Sequence, residues 1–375
     1  MRMKTKIKAA MRKNVPGIKA FLLKKYPSFI YRKDDLSDSA YIPVFVSHEV
    51  DTDSLEKKLL YLKKNGYQTL DSSEWMDSVQ HAENNQQRKV VLTFDDGHIS
   101  LWKNAFPLLK KYKFKAVSFI CPGLVPGEKY YEFSEKNRKL CNWNELRIMH
   151  DSGYVDFQSH TLNHDLVCCS SRFMDLFHPT FESHYFGKND KAVAISNGNY
   201  ITVTNLWPYG NAEQNEFWGM PIFELKPRLA ADKRFEVSEK VCAYFRGLGK
   251  TAWGNVNNRK NKRKRLVKKE ILRFSEKELG KYIAGSEYQN EIAKNLIDAK
   301  AIIEEKLPSK KVRHLCAPWF EANENTLKTA ADSGFASVFL GDNAFPWRSN
   351  PAHETTIYNI PRLSEHYIFR LPSNK

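Results

Sequence analysis

Apolar residues fall in six short, almost unbroken runs, at residues 42–47, 90–94, 116–120, 155–159, 312–317 and 336–340. Such runs, without alternation, are what strands buried on both faces of a parallel sheet require. Stretches with helical spacing, such as 55–64 and 101–112, alternate with them. Three times such a stretch ends in glycine and an aromatic residue: Asn65-Gly66-Tyr67, Ser152-Gly153-Tyr154 and Ser333-Gly334-Phe335. Glycine there supplies the left-handed residue that stops a helix, and the aromatic begins the return into the sheet. The repeated unit predicts a barrel-like parallel α/β fold.

In a parallel barrel the C-terminal strand ends converge on one face, where sites are built. The polar residues just after the predicted strands are His48, Asp95 with Asp96, His160, and the Pro318-Trp319 pair. Between residues 166 and 307 the βα rhythm is lost. The sequence there predicts a hairpin over 192–204 around Asn197-Gly198, aromatic-rich loops, a basic run and a helix over 288–306. The expected organisation is a basic N-terminal segment over 1–33, a barrel from 34–165 and 308–375, and an insertion over 166–307 packed over or beside the active face. A structural excursion without substrate contact is the other reading of the insertion.

Hydrophobic residues make up 42% of the chain and aromatics 13%, which is ample for a large core and excludes global disorder. The formal charge of +16 is local: residues 1–33 hold eleven Lys or Arg and no acid, and residues 259–269 hold eight more. Such patches suit an anionic membrane, a phosphorylated substrate or nucleic acid, and a solvated face is the plain alternative. In the N-terminal segment Ile7, Met11, Ile18, Phe21 and Leu22 lie among the cations at roughly helical spacing, interrupted by Pro16-Gly17. An interfacial anchor and a solvated basic tail both fit that pattern. With no apolar run of about eighteen residues and no secretory h-region, a cytoplasmic location is expected, peripheral on the inner membrane if the anchor forms. The six cysteines have no zinc-cage spacing, and reduced thiols are expected.

The run Val90 to Phe94 ends in Asp95-Asp96-Gly97. Adjacent side chains at a strand end can diverge, so one carboxylate can bind a metal while the other faces an attacking water. Alone, Asp-Asp-Gly is also an ordinary turn. His160-Thr161-Leu162-Asn163-His164 sets two imidazoles four apart after another strand. On one helical turn these converge on a single ion, and with one carboxylate they make a three-ligand site open to water and substrate, as a catalytic ion needs.

Together, Thr-Phe-Asp-Asp-Gly and Ser-His-Thr-Leu-Asn-His resemble the first two signature motifs of the polysaccharide deacetylase family, also called NodB-homology or carbohydrate esterase family 4. Residues 143–149 and 151–154 are similar to the family's helix leading into the second motif, and Cys316-Ala317-Pro318-Trp319 resembles its third. The opening Ile42 to Val50 resembles the permuted members acting on poly-N-acetylglucosamine. The resemblance covers about residues 41–119, 142–165 and 312–339.

It implies a distorted (β/α) barrel, Asp95 as catalytic base, and Asp96, His160 and His164 as metal ligands. It also implies Pro318 and Trp319 along the substrate groove. His48 is the implied acid, with His366 the second candidate. Cys316 stands where many members have an arginine that orients the base, and Arg362 is the candidate substitute. The implied reaction is metal-dependent removal of acetyl from an N-acetylated sugar of a cell-surface glycan or its lipid- or nucleotide-linked precursor. One divalent ion is expected, zinc first, with cobalt, nickel and iron(II) accepting the same ligands. Three other readings stand beside this one. The chain could hydrolyse another amide on the same fold, bind glycan or membrane without catalysis, or bind nucleic acid through its basic segments.

Overall fold

The structure is a computed structural model that describes residues 21–33, 42–80, 88–127, 138–178, 181, 183–186, 190–197, 200–206, 214–252, 260–341 and 357–374. The chain first lays down β1 (Val44–Ser47), β2 (Gln68–Thr69), β3 (Lys89–Phe94), β4 (Ala116–Ile120) and β5 (Val155–Ser159). An excursion follows, with β6 (Leu166–Leu176), β7 (Val193–Asn197), β8 (Tyr200–Thr204), β9 (Pro221–Pro227), β10 (Lys233–Val237) and β11 (Gly280–Ala284). The chain then returns with β12 (His314–Cys316), β13 (Ser337–Leu340), β14 (Tyr358–Pro361) and β15 (Leu363–Ser364).

The main sheet runs β14-β13-β12-β5-β4-β3-β1-β15, with β2 beside β3, and its pairs are parallel. Its two outermost strands are consecutive in the chain. Arg362 alone separates β14, paired with β13, from β15, paired with β1. The sheet therefore closes on itself into a barrel at a single residue, whose backbone N–H donates to Leu340 O at 3.1 Å.

Strand alternation sorts the side chains. Val44, Val91, Val117, Phe119, Cys316 and Phe339 form an inner cluster with Trp75 and Met76 of the helix Ser72–Gln80. Phe45, Leu92, Phe94 and Phe157 face outward, onto Leu55, Leu59 and Leu62 of the helix Thr52–Lys64 and onto Leu146 and Met149 of the helix Trp143–Asp151. Each fully buried Leu or Phe stabilises by about 1.5–3 kcal/mol, and truncating the fully buried Trp75 to Ala would cost about 3–5 kcal/mol. Gly66, Gly153 and Gly334 all have left-handed φ, of 71°, 72° and 81°, as the helix-stop reading requires. The run over 101–112 is not one regular helix. It opens with a π turn, Leu101–Ala105, ahead of the α-helix Phe106–Tyr112. Pro107, which has no N–H to donate into the preceding turn, sits at the junction.

The excursion is a four-stranded antiparallel sheet ordered β7-β8-β6-β9, followed by the antiparallel pair β10-β11. The expected hairpin is present as β7 and β8, paired from Val193↔Thr204 to Asn197↔Tyr200, and its turn residue Gly198 lies outside the described residues. The helices Glu239–Ala252 and Lys260–Ile271 pack Val241, Phe245, Val267 and Ile271 against Phe223 and Phe235.

The helix Gly285–Lys306 buries Tyr288, Ile292, Leu296 and Ile303 in a cluster that holds barrel residues together with Leu229, Ala231 and Ile283 of the excursion. At the N-terminus, Tyr26, Phe29 and Ile30 around the short helix Ser28–Tyr31 join the same cluster, so part of the basic segment belongs to the barrel. Ile7, Met11 and Ile18 lie outside the described residues, while Phe21 and Leu22 are exposed. Among the described residues no helix is long and apolar enough to cross a membrane. All six cysteines are unpaired.

Candidate active site

Thr93 and Asp95 point to the barrel interior, on the same side of β3 as Val91. The chain then leaves the strand through two left-handed residues, Asp96 at φ 70° and Gly97 at φ 68°. That step sends the two neighbouring carboxylates in different directions. A Cβ at position 97 would sit 3.0 Å from Ile120 Cγ2, so the turn needs glycine for space as well as for φ.

Asp95 meets the barrel seam. Arg362 donates from Nη1 to Asp95 Oδ1 at 2.6 Å and from Nη2 to Oδ2 at 2.8 Å, and both side chains are fully buried. Nη1 also reaches Thr93 Oγ1 at 3.2 Å, and Nη2 lies 2.9 Å from Cys316 Sγ. Burial alone would raise the Asp95 pKa, but the Arg362 charge, then His160, outweigh it and hold the carboxyl below its ordinary value. The guanidinium that meets Asp95 thus comes from the seam between β14 and β15, two strands from Cys316 on one side and two from Asp95 on the other. His48, half-exposed at the end of β1, places Nε2 3.7 Å from Asp95 Oδ2 and meets the Phe320 ring edge-on. His366 is exposed on the turn Glu365–Arg370, whose Glu365 side chain is engaged by Ser47 and Lys58.

Asp96 meets the two histidines. His160 Nε2 lies 3.3 Å and His164 Nε2 3.6 Å from Asp96 Oδ1. The segment carrying them is not a helical turn. It is an irregular loop in which Thr161 and His164 are themselves left-handed, at φ 67° and 47°, a departure that the spacing alone does not reveal. The loop lies against residues 121–123. Gly123 N–H donates to Leu162 O at 2.9 Å, and a Cβ on Gly123 would strike Asn163 Oδ1 and the Leu162 carbonyl. Leu162 N–H also reaches Asn295 Oδ1 at 3.2 Å. Neither Gly123 nor Asn295 carries a motif signal in the sequence.

The donor set fits a divalent cation. His160 Nδ1 lies 2.9 Å from Cys316 O, a contact that places the ring proton on Nδ1 and turns the Nε2 lone pair to Asp96. Asp96 Oδ1, although buried, has no hydrogen-bond partner among the described residues. One donor atom from each of Asp96, His160 and His164 lies within 4.8 Å of the others. Burial depresses the His164 pKa to about 4, so the ring is neutral at neutral pH, as a ligand must be. For His160 burial works the same way, yet Cys316 and Asp96 outweigh it and hold the ring well above its ordinary value. A proton and a metal cation thus compete for the same lone pair. Asp95, His160 and Cys316 also have donor atoms within 4.8 Å of one another, but the Arg362 cation already contacts Asp95 and Cys316 and opposes a second positive ion there.

The wall of the site comes from the turn Pro318–Phe320, where Trp319 and Phe320 are left-handed at φ 53° and 65°. The Trp319 ring lies 4.1 Å from that of His164, and its Nε1–H donates to Tyr185 O at 2.8 Å. Phe320 covers Arg362 with the guanidinium 5.0 Å from its ring centre. Neither Phe320 nor Tyr185 stands out in the sequence, although Phe320 follows directly on the Pro318-Trp319 pair.

Residues 82–216, which carry Asp95, Asp96, His160 and His164, match the polysaccharide deacetylase family model. The chain is 30% identical over 162 residues to a poly-β-1,6-N-acetyl-D-glucosamine N-deacetylase of Staphylococcus aureus, covering 43% of this chain and 41% of that protein. To the Escherichia coli K12 protein of the same name it is 28% identical over 134 residues, covering 34% of this chain and 20% of that protein. The matched region thus spans between a fifth and two fifths of those relatives' lengths. Among solved structures, a de-N-acetylase from Aggregatibacter actinomycetemcomitans aligns with TM-score 0.48 and 17% identity, covering 87% of this chain and 95% of that one. A Streptococcus pyogenes deacetylase aligns with TM-score 0.48 and 15% identity, covering 89% of this chain and 98% of that one.

Proposed function

We propose that the protein is a metal-dependent N-deacetylase that removes acetyl from N-acetylhexosamine units of a cell-surface glycan or of its lipid- or nucleotide-linked precursor. The observation that carries this reading is the juxtaposition of two differently wired carboxylates: Asp96 facing His160 and His164, and Asp95 clamped by Arg362. A divalent ion held by Asp96, His160 and His164, with zinc the first candidate, supplies Lewis-acid polarisation of the acetamide carbonyl and of the attacking water. Asp95, kept ionised and aimed by Arg362, accepts the proton that the water loses as it attacks the carbonyl carbon. His48, beside Asp95 and open to solvent, gives a proton to the amine nitrogen as the C–N bond breaks, so the products are acetate and a free amino sugar. Pro318, Trp319 and Phe320 form the apolar side of the groove against which a sugar ring packs.

The names of the Staphylococcus aureus and Escherichia coli relatives favour N-acetylglucosamine as the sugar. The test is metal content together with acetate release from β-1,6-linked N-acetylglucosamine oligomers and from nucleotide- and lipid-linked N-acetylhexosamines. Metal-loaded protein that releases acetate from none of them would overturn the proposal, and formate release from N-formyl sugars would move it to another amide on the same site.

A further inference from the structure

The excursion begins two residues after His164, with β6, and the chain returns to that point. Asp165, fully buried, accepts from Arg228 Nε at 3.1 Å on Oδ1 and 3.0 Å on Oδ2, and from Nη2 at 2.6 Å on Oδ2. Arg228, just past β9, is equally buried, and its backbone N–H donates to Asp165 O at 3.2 Å. The Tyr200 ring lies against its guanidinium, at 5.2 Å, and Tyr288 Oη of the barrel helix donates to Arg228 O at 2.8 Å. A guanidinium and a carboxylate taken this far out of water persist only with excellent geometry. Here that geometry is spent on the residue next to His164.

Left-handed conformations at Thr161 and His164 likewise persist only where the surroundings over-determine them. Gly123 and Asn295 hold the middle of the loop at Leu162, and Arg228 holds its His164 end through both the backbone and the side chain of Asp165. We propose that Arg228 is a positioning residue by which the excursion sets the place of His164 in the metal site. The excursion is then part of the site's construction and not an appendage. The inference rests on the metal-site reading above, and its test separates the two.

Arg234 supplies the control. It lies on the same Tyr200 ring, at 3.7 Å, and pairs at 2.6 Å with Glu291, which also lies 3.9 Å from Arg228 Nη1, so the two arginines share a ring and a carboxylate and differ in the bonds to Asp165. The measurements are divalent-metal dissociation constants by chelator competition with zinc, and amide exchange of residues 161–165 in the metal-free protein. Arg228→Gln is expected to weaken zinc binding about 10–100-fold, the usual effect of losing an outer-shell partner, and to speed exchange of the loop. Arg234→Gln should change neither. If Arg228→Gln does not fold, Asp165→Asn combined with Arg228→Gln removes the unpaired buried charge and should show the same two changes in smaller measure. Wild-type exchange and wild-type zinc affinity in a folded Arg228 variant would overturn the proposal. Faster loop exchange in a protein whose wild type binds no metal would refute the metal reading and leave the positioning of the loop intact.

Discussion

Replacing Arg362 by Met tests the seam of the barrel and the proposed role of Asp95 as base together. The change removes both hydrogen bonds to Asp95 and leaves a carboxylate that is 1% exposed facing an apolar side chain of similar length. Breaking a buried ion pair from one side costs about 3–5 kcal/mol. The loss cannot grow without limit, because each pKa unit is worth about 1.4 kcal/mol and Asp95 takes up a proton once that costs less than staying charged. The sign follows from the pair itself. In the wild type the Asp95 pKa is depressed in the folded state, so the stability it contributes is present above the unfolded carboxylate pKa and is lost as pH falls through the folded value. The difference between wild type and Arg362→Met should therefore be largest above the raised Asp95 pKa of the variant and shrink steadily as pH falls below it, read by urea denaturation across pH 3.5–8. Turnover should follow the base: the acid limb of kcat/KM for acetate release moves to higher pH, with a loss of about 10²-fold or more at pH 6 that recovers in part at pH 9. A folded variant with the wild-type acid limb, or a stability loss independent of pH, would refute the reasoning.

The two carboxylates should part company. Asp95→Asn is expected to retain metal and lose about 10²–10⁴-fold in turnover, whereas Asp96→Asn loses the metal itself, so metal content alone separates them. Because a proton on His160 competes with the cation, zinc affinity should rise with pH from 6 to 8, approaching about tenfold per unit for one proton released; a flat profile would show that His160 binds as the neutral ring throughout. His48→Ala should slow hydrolysis of acetylated amines more than that of activated esters, whose leaving group needs no proton, and equal slowing of both would remove its role as acid. For the N-terminal segment, deletion of residues 1–20 takes away seven Lys or Arg while keeping Tyr26, Phe29 and Ile30 in the core, and should abolish flotation with anionic liposomes if that segment is an interfacial anchor. Equal flotation of the full and shortened chains would remove the anchor, and with it the reason to place the enzyme at the inner leaflet.

The barrel strands were legible in the sequence because a strand buried on both faces leaves an unbroken apolar run, and β4 and β5 coincide with their predicted ranges. Asp95, Asp96, His160 and His164 were legible for a related reason: each pair is local, and its place after a strand end follows from the same pattern. Local spacing stops there. A His pair four residues apart suits a helical turn as well as a loop, and it is contact with Gly123, Asn295 and Arg228 that selects the left-handed loop. The amphipathic helix Gly285–Lys306 reads the same whether it covers a barrel or an excursion, and its apolar face was assigned when it met the barrel strands. Arg362 lies between the two cases. The sequence offers it as a candidate by resemblance alone; it stands 267 residues from Asp95, and it becomes the partner of that carboxylate because the sheet closes at that residue. Sequence periodicity determined which side chains lie inward along each strand, whereas closure of the barrel alone decided which inward-facing charges share a low-dielectric interior and therefore had to pair.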